Sequence, residues 1–282
     1  MTVNEETESV LCMWIASLLD KGIKYRTVTQ YIAGLRHHWG SMRVTHTALD
    51  NMTALQRQLQ AAKKTNNGAV RTRLPLTHTE LMSMKPFIGA DRDGAMIWAA
   101  MTVAVAGLLR SGEFTSVRGS STLTMSAVRM DKQSDSMVFS LPRDKTSSSP
   151  VHIHIVATHT NTCPVNAMLK YTAYRRRAKP EAPLFEWSNG RALSQRSLIV
   201  NMQRLLTAAG VPNAEQYTGH SFRRGGATAL ANAHTSLHTL KRAGRWSSNA
   251  AQLYIDTSMH DVAAAQVRAA RLAESVMVRT TK

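Results

Sequence analysis

The sequence predicts a mainly α-helical chain of two domains carrying one small antiparallel β-hairpin, and three observations predict it. Apolar residues recur at three- and four-residue spacing through most of the 282 residues. Alternation with a period of two is confined to one region, Leu123 to Val156. A polar run, KKTNNGAVRTR, separates a short helical set from the longer remainder and places a boundary near Asn67 to Thr72, giving domains 1–70 and 71–282. With 43% hydrophobic residues, the chain can fill two modest cores.

The elements follow in order. Glu8 to Leu19 is a helix whose apolar face reads as Val10, Met13, Trp14 and Leu18, broken by KGIKYRT. A second helix, Thr27 to Trp39, has the apolar face Val28, Tyr31, Ile32 and Leu35, with Arg36, His37 and His38 clustered at its end. A third runs from about Asn51 to Lys63. RTRLPLTHTELMSM opens the second domain, with Thr77 as N-cap and Glu80 completing a capping box. The run AMIWAAMTVAVAGLL, Ala95 to Leu109, is shorter than the roughly 20 residues a bilayer span requires and reads as a buried helix. Arg110 leaves its end with Glu113 one helical turn on, a pattern that by itself suits a surface cap as well as a functional site.

MVFSLPRDK and VHIHIVA flank the turn chemistry of TSSSP and predict a hairpin with Lys145 at its tip, where a lysine ordinarily serves solvation. His152 and His154 share one strand face; with no third ligand in view they read as exposed or DNA-facing. Cys163 to Ala178 reads as a helix ending in Arg175, Arg176 and Arg177, which suit phosphate contacts or simple solvation. SLIVNMQRLLTAAG closes a further amphipathic helix. Near the end, Val262, Ala265, Ala269, Leu272 and Val276 make a narrow apolar stripe, which packs either on its own domain or on a neighbouring protomer.

Lys and Arg number 35 against 18 Asp and Glu, a formal charge of +17 and a pI near 10.5. So many dispersed cations suit a polyanion, and nucleic acid comes first because release of condensed counterions drives its binding. A membrane surface is the rival, but the cations form no juxtamembrane block, and the opening MTVNEETESV is acidic, unlike a signal peptide. The only cysteines, Cys12 and Cys163, exclude a disulfide framework and a cysteine-rich zinc module, which points to a reducing, intracellular compartment.

The chemistry concentrates in Tyr217 to Asp256, YTGHSFRRGGATALANAHTSLHTLKRAGRWSSNAAQLYID. His220 and Arg223 stand three apart and share a helix face, so both can reach one anion. Arg223 offers a planar fork suited to two phosphate oxygens, and His220 can donate a hydrogen bond or move a proton. Trp246 supplies an indole donor, and the Tyr254 phenol is a competent nucleophile where cations stabilise the phenolate. Gly225 and Gly226 each cost a helix about 1 kcal/mol relative to Ala, which close approach of a backbone or of DNA would explain.

The ordered set His220, Arg223, Trp246 and Tyr254 resembles the carboxyl-terminal motifs of tyrosine recombinases, the phage integrase class of DNA strand-transfer enzymes. GHSFRRGGAT followed by GRWSSNAAQLYI is most similar to the recombinases of DIRS-like retrotransposons. The resemblance extends to AGLLRSGEF, which makes Arg110 a second phosphate fork and Glu113 a buttress, and to the DKT phrase, which makes Lys145 the catalytic lysine. It also extends to TVTQYIAGLRHHWG, similar to the family's amino-terminal domain that clamps DNA. The resemblance implies a two-domain clamp with an α+β catalytic domain and the catalytic set Arg110, Lys145, His220, Arg223, Trp246 and Tyr254. It implies no cofactor and no metal, double-stranded DNA as partner, homo-oligomers on DNA formed through the carboxyl-terminal helix, and a nuclear location in a eukaryote. Candidate DNA contacts are Arg36, His37, His38, Arg71, Arg73, Arg175, Arg176 and Arg224. A type IB topoisomerase of the same chemistry and a non-catalytic DNA-binding relative stay open as alternatives.

Overall fold

The computed structural model describes residues 5–41, 49–65, 74–117, 123–131, 133, 135–142 and 150–254. The chain divides into two compact units, Met1–Thr72 and Arg73–Lys282.

In the first unit, α1 (Glu5–Asp20), α2 (Tyr25–Ser41) and α3 (Thr53–Thr65) enclose a core of Leu11, Ile15, Val28, Ile32, Leu49, Met52, Leu55 and Leu59. α1 stops at Gly22, whose φ of +78° is the left-handed conformation glycine adopts without cost; the Ile23 and Gly22 amides cap the Leu18 and Leu19 carbonyls. The buried face of α1 is not the expected one. Leu11 and Ile15 point inward, whereas Val10 and Met13 are 53% and 66% exposed and Trp14 stacks on exposed Tyr31 at 6.1 Å. Both sides of α1 are apolar, so periodicity does not choose between them. The choice is made by α3, tied to α1 by the Leu55 amide on Glu8 Oε1 at 3.0 Å and Gln58 Nε2 on the Cys12 carbonyl at 3.0 Å.

The second unit begins with α4 (His78–Met84), held by the expected capping box: the Thr77 hydroxyl accepts from the Thr79 amide, and Glu80 accepts from the Thr77 amide at 2.7 Å. α5 (Arg92–Ala106) is the central helix, buried from Ala95 through Val105 as its all-round apolar sequence requires. Among the described residues no helix is long and apolar enough to cross a membrane. The short α6 (Ser111–Phe114) follows, and then an antiparallel sheet of β1 (Val128–Asp131), β2 (Ser136–Leu141) and β3 (Val151–Val156) in the order β1-β2-β3. Met137, Phe139, Leu141, Ile153 and Ile155 face the core, while His152 and His154 stand exposed on the other side. The hairpin of the sequence reading is therefore two strands of a three-stranded sheet, β1 pairing Val128 with Phe139. Lys145 falls on the β2–β3 connection and lies outside the described residues, as do Arg71, Arg73 and the apolar stripe Val262 to Val276.

α7 (Pro164–Ala173), α8 (Gln195–Ala208), α9 (Ser221–Asn232) and α10 (Leu237–Gly244) complete the unit, followed by a 3₁₀ turn, Asn249–Tyr254. α7 ends at Ala173, short of the expected Ala178, and Arg175 turns inward instead of toward a DNA partner. Only 6% exposed, it donates to the Tyr171 hydroxyl at 3.0 Å, to the Pro183 carbonyl at 3.2 Å and to Glu186 at 3.4 Å. Arg175 is thus a core cross-link with little surface left for a DNA contact; Arg176 is exposed.

Gly225 and Gly226 answer to backbone neighbours. A Cβ at Gly225 would overlap the Leu76 carbonyl, and one at Gly226 the Val105 carbonyl near the end of α5. The Leu76 amide donates to the Ser221 carbonyl at 2.9 Å, so this segment lies directly against the first turn of α9. Gly225→Ala is expected to lower the unfolding free energy by about 3 kcal/mol, since rigid backbone cannot yield to the methyl group. Gly34→Ala, where an added Cβ meets nothing within 4 Å, is expected to stabilise by about 0.5–1 kcal/mol. Urea titration of the two variants checks both values.

Candidate active site

Two helix ends and one tight turn bring the motif residues together. α5 ends with Gly107 as C-cap and Leu108 in the left-handed region at φ +47°. Arg110 follows as the N-cap of α6, its side chain 51% exposed. Glu113 grips it twice: Oε2 accepts the Arg110 amide at 2.8 Å and Oε1 accepts Nη1 at 3.0 Å.

Arg223 enters from α9, whose close packing on α5 leaves it 5% exposed. Its Nη1 donates to the Leu108 carbonyl at 3.1 Å and its Nη2 to the Gly244 carbonyl. His220, the N-cap of the same helix, is exposed. His220 and Arg223 thus lie within one turn, Arg223 buried and His220 exposed.

Trp246 packs on Arg223. The Arg223 guanidinium carbon sits 4.7 Å from the centre of its ring, and the Tyr254 ring packs on it at 5.4 Å with a 31° tilt. A Cβ on Gly244 would overlap the indole, so that glycine lets the ring fold back. Arg224 lies 6.0 Å from the Tyr254 ring centre, the outer range of a cation–π contact. Arg223, Trp246, Tyr254 and Arg224 thus form a connected set of contacts, with the phenol ring near both an indole and a guanidinium.

Arg245 escaped the sequence reading. A cation at the end of a helix ordinarily reads as a solvated C-cap, and nothing in GRW marks it otherwise. In the structure Arg245 is only 17% exposed and left-handed at φ 55°. It donates to the Gly107 carbonyl at 3.1 Å, the Leu108 carbonyl at 3.2 Å and Glu113 Oε2 at 2.8 Å.

Positive charge dominates, since Arg110, Arg223 and Arg245 surround the single carboxylate of Glu113. Burial, with repulsion from Arg110 and Arg245, pulls the Arg223 guanidinium down to about 10 against the partial opposing effects of Glu113 and Tyr254. Arg223 therefore stays charged at neutral pH, at a cost to the folded state that persists below about pH 10 and is relieved as pH rises past it. A bound anion would relieve the same cost at neutral pH, so the electrostatics of the cluster suit an anion. Tyr217, the other tyrosine of the segment, is 4% exposed, and burial together with the Glu80 charge pushes its phenol up, away from nucleophilic use.

Of the remaining candidates, Arg36, His37 and His38 belong to the first unit, and Lys145, Arg71 and Arg73 fall outside the described residues. Arg36 pairs with Asp50 at 2.6 Å on the first unit, and His37 and His38 are exposed near the end of α2. Among the described residues no group of three or more His, Cys, Asp or Glu side chains is placed to hold a metal ion.

No protein-family model and no curated protein matches this sequence. Solved structures do match it. The Tn1549 transposon integrase in complex with circular intermediate DNA is similar at a TM-score of 0.63 and 17% identity, over 95% of this chain and 86% of that one. The XerH site-specific recombinase bound to palindromic difH substrate, a post-cleavage complex, gives 0.62 and 16% over 92% and 71%. XerA recombinase gives 0.53 and 14% over 94% and 92%. At such identities the likeness is one of architecture, and in architecture this mostly helical chain with its three-stranded antiparallel sheet has the tyrosine recombinase fold.

Proposed function

We propose that the protein is a tyrosine recombinase that cuts and rejoins double-stranded DNA through a 3′-phosphotyrosyl intermediate, using neither metal nor ATP. The observation that carries the reading is a single half-buried phenol, Tyr254, set among Arg223, Trp246 and Arg224, with Arg110 on the same cluster. The tyrosine recombinase fold and the +17 charge support it.

Tyr254, its proton released to solvent as the neighbouring cations stabilise the phenolate, attacks a backbone phosphorus through Oη as the bond to the 5′ oxygen breaks. Arg110 and Arg223 neutralise the charge growing on the non-bridging oxygens, and His220 and Trp246 add hydrogen bonds. Lys145 delivers a proton to the departing 5′ oxygen, leaving a 3′-phosphotyrosyl bond and a free 5′ hydroxyl. The phosphodiester energy is kept in that bond, so attack by a new 5′ hydroxyl rejoins DNA without a cofactor. Each Arg223 terminal nitrogen spends one donor on a carbonyl and keeps another for phosphate.

The wording of GHSFRRGGAT and GRWSSNAAQLYI supports a finer assignment, a recombinase of DIRS-like retrotransposons acting on element DNA in a eukaryotic nucleus. A duplex nicked near the cleaved bond, from which the short 5′-hydroxyl fragment diffuses away, is expected to trap a detergent-resistant protein–DNA adduct in the presence of a chelator. No adduct on such substrates sinks the reading. Relaxation of supercoiled plasmid by monomers with no strand exchange assigns the chemistry to a topoisomerase instead.

The first unit is assigned to gripping the duplex, and the stripe Val262 to Val276 to docking on a neighbouring protomer, as the resemblance implies. Deleting residues 259–282 is expected to leave DNA affinity within about twofold of the parent and to cut synapsis at least tenfold, because the stripe offers apolar area and no phosphate ligands. Gel-shift titration and paired-end capture measure the two; undiminished recombination by the truncated chain removes the docking role.

A further inference from the structure

We propose that Arg245 is a positioning residue for this reaction, acting through Glu113 to aim Arg110 at the phosphate; the inference rests on the reading of the site given above. Three features set Arg245 apart from an ordinary helix cap. Its backbone is left-handed, a conformation a side chain with a Cβ rarely keeps without a constraint. Its guanidinium reaches back across 138 residues of sequence to the Gly107 carbonyl and also caps Leu108, two acceptors at the negative end of α5. The nitrogen that caps Leu108 also donates to Glu113 Oε2 at 2.8 Å.

The carboxylate of Glu113 is thereby shared. Oε2 accepts from Arg245 and from the Arg110 amide, which leaves Oε1 for Arg110 Nη1 at 3.0 Å. Arg110 is held by one hydrogen bond to its fork and keeps the remaining donors for a ligand. Without Arg245, Glu113 would lose its second cation and could turn both oxygens onto Arg110, a bidentate pair that occupies the fork and quenches its charge. Arg245 itself is 17% exposed with its donors on protein acceptors, whereas Arg110 is 51% exposed, so it is Arg110 that meets the phosphate.

The turn at Arg245 also divides the work of three consecutive residues. The Gly244 carbonyl receives Arg223, the Arg245 side chain goes to Glu113, and the Trp246 ring goes to Tyr254. One left-handed residue thus ties the two phosphate arginines and the nucleophile to a common frame.

The test is a cycle of variants read by single-turnover cleavage at saturating nicked DNA, with DNA affinity measured separately. Arg245→Met is expected to slow cleavage by roughly 10²-fold, the scale for misplacing a catalytic group by about an ångström, while DNA affinity stays within about twofold. Added to Arg110→Ala it is expected to cost no more than about a further twofold, because the residue through which it acts is gone. A substrate whose reacting phosphate is a neutral methylphosphonate needs less charge neutralisation and is expected to restore both single variants, which a fold defect would not allow. Arg245→Lys, which keeps a cation for Glu113, is the second variant, expected to retain roughly a tenth of the parent rate should Arg245→Met fail to fold. Full multiplication of the Arg110 and Arg245 effects, or no methylphosphonate rescue of the Arg245 variants, removes the positioning role. A parent that forms no adduct overturns the reading of the whole site and this role with it.

Discussion

Tyr254→Phe is expected to bind nicked duplex as tightly as the parent and to form no covalent adduct, a loss on the order of 10⁴-fold or more for deleting a nucleophile. The substitution isolates chemistry from packing. The phenyl ring retains its place on Trp246 at 5.4 Å and beneath Arg224 at 6.0 Å, so only the attacking oxygen is removed. Detergent gels of trapped substrate, with peptide mapping of the adduct, measure the result. Tyr217 cannot substitute, since it is 4% exposed and its phenol is pushed up by burial and by Glu80. An adduct that persists in Tyr254→Phe, or one that chelators abolish in the parent, disproves the site assignment.

Lys145→Ala is expected to slow cleavage of ordinary DNA by about 10²–10⁴-fold, the range for loss of a general acid. When Tyr254 displaces the strand, the 5′ oxygen leaves as an unfavourable alkoxide unless a proton arrives as the bond breaks. Arg110 and Arg223 are poorly placed as donors, because in this reading both forks are engaged by the non-bridging oxygens. A lysine pressed against DNA among other cations can release its proton more readily. Replacing the leaving oxygen with sulfur removes the need for that proton and is expected to restore most of the Lys145→Ala rate. The same substrate is expected to do little for Arg223→Ala, whose defect lies at the non-bridging oxygens and at the carbonyls of Leu108 and Gly244 left without their donor. Equal acceleration of the two variants would reduce Lys145 to a phosphate contact and move the search for the acid to His220.

Much of the architecture was legible because its causes are local. A run of apolar residues from Ala95 to Leu109 has nowhere to go but a core, and Thr77 with Glu80 closes a helix end within four residues. Alternation in β2 and β3 and the turn residues between them predict their pairing. The motif residues were legible as a set because an imidazole and a guanidinium one turn apart, ahead of an indole and a phenol, combine donors suited to one phosphate. Local patterns failed wherever a side chain had two equivalent choices. α1 is apolar on both sides, and the choice of Leu11 and Ile15 over Val10 and Met13 belongs to its partner α3. Arg175 and Arg176 are indistinguishable in sequence, yet Tyr171, Pro183 and Glu186 draw the first into the core.

By itself, the sequence determined the helices and the hairpin, since periodicity and capping act among residues a few positions apart, and it singled out His220, Arg223, Trp246 and Tyr254 as one candidate set. Tertiary structure alone decided how those groups are held. The partner of Arg245 is Glu113, 132 residues earlier, and the neighbour that requires glycine at position 226 is the Val105 carbonyl. Contacts over such separations leave no periodic trace, because their energy depends on where two distant elements cross and not on the spacing of residues within either one.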